Sequence, residues 1–172
     1  MEKQEQSTAV EQQYLWAVGL DNDAFPPDAL VADRYRVITS QIVVDTDAFS
    51  LPELPLEFQT YVVSYLKLSR LSLHLPRPYG LLLLGEELNL SEVFLLENVP
   101  IDRQGKLCPT LADAWTDASA LRQISLLWQV LNLWQPLAEH NMARTLIDPK
   151  LVRVDGMWVR LLELQADVAA VH

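Results

Sequence analysis

Few side chains in this 172-residue chain could carry out chemistry, and their spacing limits which chemistry is open to them. The histidines, His74, His140 and His172, are scattered and form no H-x-x-x-H pair, so we read each as a packing or surface residue rather than a metal ligand. Cys108 is the only cysteine, which excludes an internal disulfide and a thiolate zinc cluster and leaves a buried, inert thiol. No G-x-S-x-G nucleophile motif occurs, and His140 follows the end of a helical run, so Ser/His/Asp catalysis has no support. Glu163, at the end of a strand-like run, could hold a metal ion; we read it as solvated or turned toward the β-rich half of the chain. Trp115, Trp128 and Trp134 could line a ligand pocket, but packing in a core or an interface is the simpler expectation. The acid-rich strings "DNDAFPPD" and "ELPLEF" read as solvated loops rather than cation sites. Neither a metal nor a cofactor is expected.

Charge restricts the partners. The chain carries 23 acids against 13 bases, a formal net charge of −10, which repels a nucleic-acid backbone and an anionic membrane surface. Half of its residues are hydrophobic, enough for a real core in about one domain. The polar start, "MEKQEQSTAVEQQ", lacks the apolar centre of a signal peptide, and no apolar run approaches the ~18 residues of a membrane span. A soluble cytoplasmic protein with a flexible tail over residues 1–13 is the expectation.

The elements that must position these residues follow from periodicity. "YLWAVG" at 14–19 reads as a short apolar patch docked onto the domain, and "DNDAFPPDAL" as a turn or linker. Residues 33–46 are rich in β-branched side chains and predict one or two strands. Pro52 and Pro55 exclude a regular helix through "FSLPELPLEFQ". Leu71, Leu73 and Leu75 alternate as in a half-buried strand. "YGLLLL" and "VFLLENV", separated by "GEELNLS", fit a buried hairpin. From Leu111 the pattern turns helical: "LADAW" is short, and a longer helix over 119–139 has Ser119 as N-cap. Arg122, Ser125, Gln129 and Asn132 form the polar side of that helix, and its apolar residues spread over roughly 220°. Asp155-Gly156, between "LVRV" and "MWVRLL", predicts a hairpin with a type I′ turn.

The order of these elements resembles a protein kinase from its N-lobe to the start of its C-lobe. "LPRPYGLLLLGEELNLSEVFLLENVPID" is similar to the fourth and fifth kinase strands and the hinge. "HNMARTLIDPKLVRVDGMWVRLLEL", residues 140–164, is similar to the catalytic loop and the hairpin that leads to D-F-G. In that resemblance Arg144, Thr145 and Leu146 stand where H-R-D would stand, so leucine replaces the base carboxylate. Leu151 falls on the metal-binding asparagine, and Glu163, Leu164 and Gln165 fall on D-F-G. No G-x-G-x-x-G exists among the five glycines, and no lysine lies between Lys3 and Lys67 to pair with phosphates. More closely, "YLWAVG", "RYRVI", "IVVDT", "LPRPYG", "FLLENVPID" and "VRLLEL" resemble, in order, the degenerate kinase-like region that precedes the catalytic domain in bacterial type-2C Ser/Thr phosphatases. The resemblance covers about residues 14–166; the sequence stops at His172, before such a catalytic domain would begin.

The resemblance implies an α+β fold: a kinase-N-lobe-like β-rich region over 14–101 and a partial C-lobe of two helices and a β-hairpin over 102–172, as one continuous pseudokinase-like domain. It implies a non-catalytic regulatory or interaction module in Ser/Thr phosphatase signalling, with no catalytic residue, a degenerate site at Arg144, Leu146, Leu151 and Glu163, and a protein partner. That partner is a phosphatase domain or a second copy. The alternatives are part of a longer type-2C phosphatase and a module that retains nucleotide affinity. The 119–139 helix is too apolar to be covered by the hairpin alone, so either the face with Leu126, Val130, Leu133, Trp134 and Leu137 or the one with Leu121, Trp128 and Leu131 is expected to stay open; the first is taken as the candidate interaction surface.

Overall fold

Short apolar runs from the first hundred residues assemble into one antiparallel sheet, and the helical sequence after it packs on that sheet through a hairpin. The computed structural model describes residues 13–21, 23–47, 50, 52, 60–85 and 91–167. It is an α+β fold. The six strands, β1 (Tyr14–Val18), β2 (Leu30–Val31), β3 (Tyr35–Thr39), β4 (Ile42–Asp45), β5 (Arg77–Leu84) and β6 (Ser91–Glu97), lie in the order β2-β3-β4-β1-β6-β5. Residues 33–46 thus supply two strands, and the expected β5–β6 hairpin forms, pairing Leu84 with Ser91 at its closed end, but only β6 is largely buried, because β5 lies at the sheet edge. The expectations for residues 1–12, for "ELPLEF" and for most of "GEELNLS" fall outside the described residues.

Two elements correct the sequence reading. Residues 14–18 are not a docked patch but a central strand, with Leu15 facing Val43 of β4 and Ala17 facing Leu95 of β6. Its residues alternate between two buried faces, so no polar residue marks the period. Leu71, Leu73 and Leu75 are not a strand: α1 (Thr60–Lys67) runs into a 3₁₀ turn at Ser69–Leu71, and the turn continues through Leu75 N to Leu71 O at 3.0 Å. The spacing that matters is Leu68, Leu71 and Leu75, whose first and last members are buried while Leu73 is exposed.

The sheet separates two cores. On one face Leu15, Ala17, Val37, Val43, Val93 and Leu95 pack beneath Leu20, Phe25 and Val31. On the other, Trp16, Ile42, Phe94 and Leu96 share a single cluster with Tyr65 of α1, with Leu68 just after it and with side chains from between residues 126 and 164, so both halves of the chain contribute to this core. At the end of β4 a buried carboxylate ties strands from both sides of the sheet together. Asp45 accepts from Arg34 Nε and Nη2, both at 2.8 Å, from Tyr79 Oη at 2.6 Å and from Asp47 N at 2.9 Å. Burial alone would raise the Asp45 pKa, but these donors outweigh it and hold the carboxyl below its usual range; burial and the same bond push Tyr79 up to about 12.

Beyond the sheet, α2 (Leu111–Thr116) begins with a reciprocal capping box between Thr110 and Asp113, and α3 (Ala120–Ala138) with Ser119 accepting from Arg122 N. The hairpin β7 (Val152–Asp155) and β8 (Trp158–Leu161) closes through Gly156 and Met157. Of the two, only Gly156 has positive φ (55°), the pattern of a type II′ turn and a correction to the I′ expectation, because the turn begins one residue later than Asp155-Gly156 implies.

Neither edge of this hairpin is left bare. On the β7 side Val154 N donates to Pro109 O at 2.9 Å. On the β8 side, Gln129 of α3 acts as a substitute strand: its Oε1 accepts from Val159 N at 2.9 Å and its Nε2 donates to Met157 O at 3.0 Å. His74 completes the edge, its Nδ1–H donating to Val159 O and its carbonyl accepting from Leu161 N, both at 2.7 Å. Gln129 is therefore a buried member of the α3 core face and not part of its polar side. Gln129→Leu preserves volume but strands the buried Val159 N–H, so urea unfolding should show a loss of about 1–3 kcal/mol; a change near zero would mean that this amide finds another acceptor.

Candidate functional site

The residues at the degenerate-site positions come from one folded-back segment. After α3, a 3₁₀ turn at Ala143–Leu146 and the loop to Leu151 lie alongside residues 161–167, joined by Leu162 N to Leu151 O at 2.9 Å and by Asp167 N to Asn141 O at 2.8 Å. Thr145, fully buried, works as a bridge here: its Oγ1 accepts from Gln165 N at 2.7 Å and donates to Gln165 O at 3.3 Å.

The four positions have different fates. Leu146 is half-buried against the main core and Leu151 is buried within it, so both side chains serve packing. Arg144 is exposed; its backbone N–H donates to Asp167 Oδ1 at 2.6 Å, and its guanidinium is turned away from the core. Glu163 faces the sheet, as its strand-end position suggested, and its Oε2 accepts from Trp16 Nε1 of β1 at 2.6 Å. Leu164 N next to it donates to Tyr65 Oη of α1 at 2.7 Å. Residues 163–165 are thus fixed by one side chain from each of three elements, Trp16, Tyr65 and Thr145. All three are neutral.

Sequence reasoning missed all three as partners; they lie 147, 99 and 20 residues away along the chain. Thr145 stands with Arg144 and Leu146 in the resemblance, but nothing local marks its bond to Gln165. Burial raises the Glu163 pKa above its ordinary value, the Trp16 bond partly offsets this, and the negative charge of Asp148 raises it further. Cys108 is buried, and burial together with Asp155 and Asp102 pushes its thiol up, away from thiolate chemistry. His140 Nδ1 bonds the Pro136 carbonyl at 3.0 Å and His74 bonds the hairpin; both are packing histidines, and His172 lies outside the described residues. Among the described residues no three His, Cys, Asp or Glu side chains come together as a metal site would require, and no helix is long and apolar enough to cross a membrane.

The candidate interaction surface on α3 needs correction. Leu126, Leu133 and Leu137 are buried and Val130 half-buried, because Gln129 on the same face is drawn to the hairpin edge and turns that side inward. Of the five, only Trp134 is exposed. The open side carries Leu121, Ile124, Leu127, Trp128, Leu131 and Trp134, so Trp128 and Trp134 join neither a core nor an enclosed pocket. Trp115 is half-buried.

No protein-family profile, curated protein or solved structure matches the chain.

The Glu163 environment sets a pH dependence. Its folded-state pKa lies above the unfolded value, so the stability it contributes is full below the ordinary carboxylate range and is lost as pH rises through the folded-state value. Asp45 has the opposite sign: its contribution is present above the ordinary range and lost as pH falls through its lowered value. Glu163→Gln keeps an acceptor for Trp16 and leaves Asp45 untouched. Urea midpoints of the variant and the parent, followed from about pH 4 to 7, should therefore diverge in favour of the variant as pH rises. Parallel curves would show that Glu163 ionises without cost.

Proposed function

We propose that this chain is a non-catalytic, pseudokinase-like module that works through protein contacts, related to the front half of a type-2C Ser/Thr phosphatase. The support is the order of elements and the treatment of the degenerate site. A sheet with one helix against it, a hairpin, a short and a long helix, an irregular loop and a tight hairpin followed by an acid succeed one another along the chain as the resemblance implies. The observation that carries the proposal is the environment of Glu163. Phosphoryl transfer needs a base carboxylate, metal-holding side chains and a lysine on the phosphates. Here the acid accepts from the neutral Trp16 indole, and Leu146 and Leu151, at the base and metal positions, are turned into packing. Burial holds the Glu163 pKa above its ordinary value even with the Trp16 bond in place, which disfavours the ionised carboxylate that Mg²⁺ requires.

Titration with Mg·ATP tests the proposal. Binding should be no tighter than roughly millimolar, so 1 mM nucleotide should stabilise the fold by at most about 0.4 kcal/mol and leave the melting temperature nearly unchanged. Micromolar, Mg²⁺-dependent binding by calorimetry would overturn it in favour of a nucleotide-binding module.

A further inference from the structure

We infer that the open face of α3 is the interface of a homodimer in which two copies pack α3 against α3 in antiparallel orientation. The face is continuous: Leu121, Ile124, Leu127, Trp128, Leu131 and Trp134 recur at spacings of three and four and fall within an arc of roughly 140° on the helix. They are well exposed, Leu121 by 79%, Leu131 by 71% and Trp128 by 65%. With roughly 150–250 Å² of surface on each large side chain, the exposed parts amount to on the order of 800 Å², about one partner's share of a standard interface.

Charge selects the occupant. The chain carries a net charge of −10, yet α3 has only one charged residue, Arg122, and that side chain turns toward the hairpin, donating to Gly156 O at 2.6 Å. The open face is free of the charges that cover the rest of the molecule, while tryptophan and leucine are concentrated on it, the composition of an interface centre. A cation-rich partner would find no acids here to pair with. A second copy brings an identical neutral face, so a two-fold contact buries no unpaired charge even though both molecules are acidic. A two-fold axis near Leu127 and Trp128 sets Leu121 of one copy beside Trp134 of the other, and the antiparallel arrangement also opposes the two helix dipoles. The inference stands on α3 alone and is independent of the reading of the Glu163 site.

Sedimentation equilibrium or light scattering of the full chain at micromolar to sub-millimolar concentration tests it. The expected mass is twice 19.5 kDa at the upper end. Leu131→Glu should weaken the dimer by about 30-fold or more while leaving the circular dichroism and cooperative unfolding intact, since Leu131 contributes nothing to the monomer core. Leu127→Cys, near the axis, should form an intermolecular disulfide on mild oxidation, and Leu121→Cys should not. A monomer throughout the range overturns the inference, as does a dimer indifferent to Leu131→Glu; efficient cross-linking through Leu121→Cys overturns the antiparallel arrangement.

Discussion

A two-stranded hairpin cannot stand alone in water, and here the outer edge of β8 is made good by side chains instead of a third strand. Gln129 offers an acceptor and a donor at the spacing of a peptide group, and His74 supplies the remaining pair. Much of the remaining structure follows from this edge. Gln129 sets the rotation of α3, sending Leu126, Leu133 and Leu137 into the core and Leu121, Trp128 and Leu131 outward. His74 connects the hairpin to the turn after α1. With β8 held, the chain beyond it passes beneath the sheet, where Trp16, Tyr65 and Thr145 meet residues 163–165.

The two halves of the chain depend on each other through this segment. The sheet buries both faces, one under Leu20, Phe25 and Val31 and the other under α1 and the hairpin, so the buried residues of β1, Leu15, Trp16 and Ala17, are apolar apart from the Trp16 indole N–H. That N–H needs an acceptor and Glu163 supplies one from the other half. At the hairpin's outer corner Arg160 donates to the Asn98 carbonyl and pairs with Asp155 at 3.3 Å, which ties the linker after β6 to β8. Across one end of the sheet the Asp45 cluster performs the same kind of work: a carboxylate excluded from water is held by a bidentate guanidinium and a phenol.

Elements with a strong local period were legible in the sequence. The α3 helix begins at Ser119 as its cap chemistry indicated, the β5–β6 hairpin follows its two apolar runs, and the last hairpin lies within a residue of its turn signal. The errors arise where tertiary context decides. A strand buried on both faces has no alternation, so β1 was invisible as a strand; three leucines at every second position imitated one, although the buried spacing was three and four. Gln129 looked like surface because nothing within α3 marks it as the partner of a strand 30 residues later. The resemblance singles out Arg144, Leu146, Leu151 and Glu163, but nothing in the sequence indicates the neutral groups that hold Glu163 and its neighbours.

The central claim is that residues 157–165 form a fixed structural joint between the two halves of the chain. Native-state amide hydrogen exchange at Val159, Leu161, Leu164 and Gln165 tests it most directly, because these four N–H groups donate to Gln129, His74, Tyr65 and Thr145. All four should exchange only through global unfolding, within about 1 kcal/mol of the free energy measured at Leu95 in the sheet centre. Exchange of these four amides several kcal/mol below that of the sheet would show a segment that opens on its own, and would contradict a joint locked from both halves of the chain.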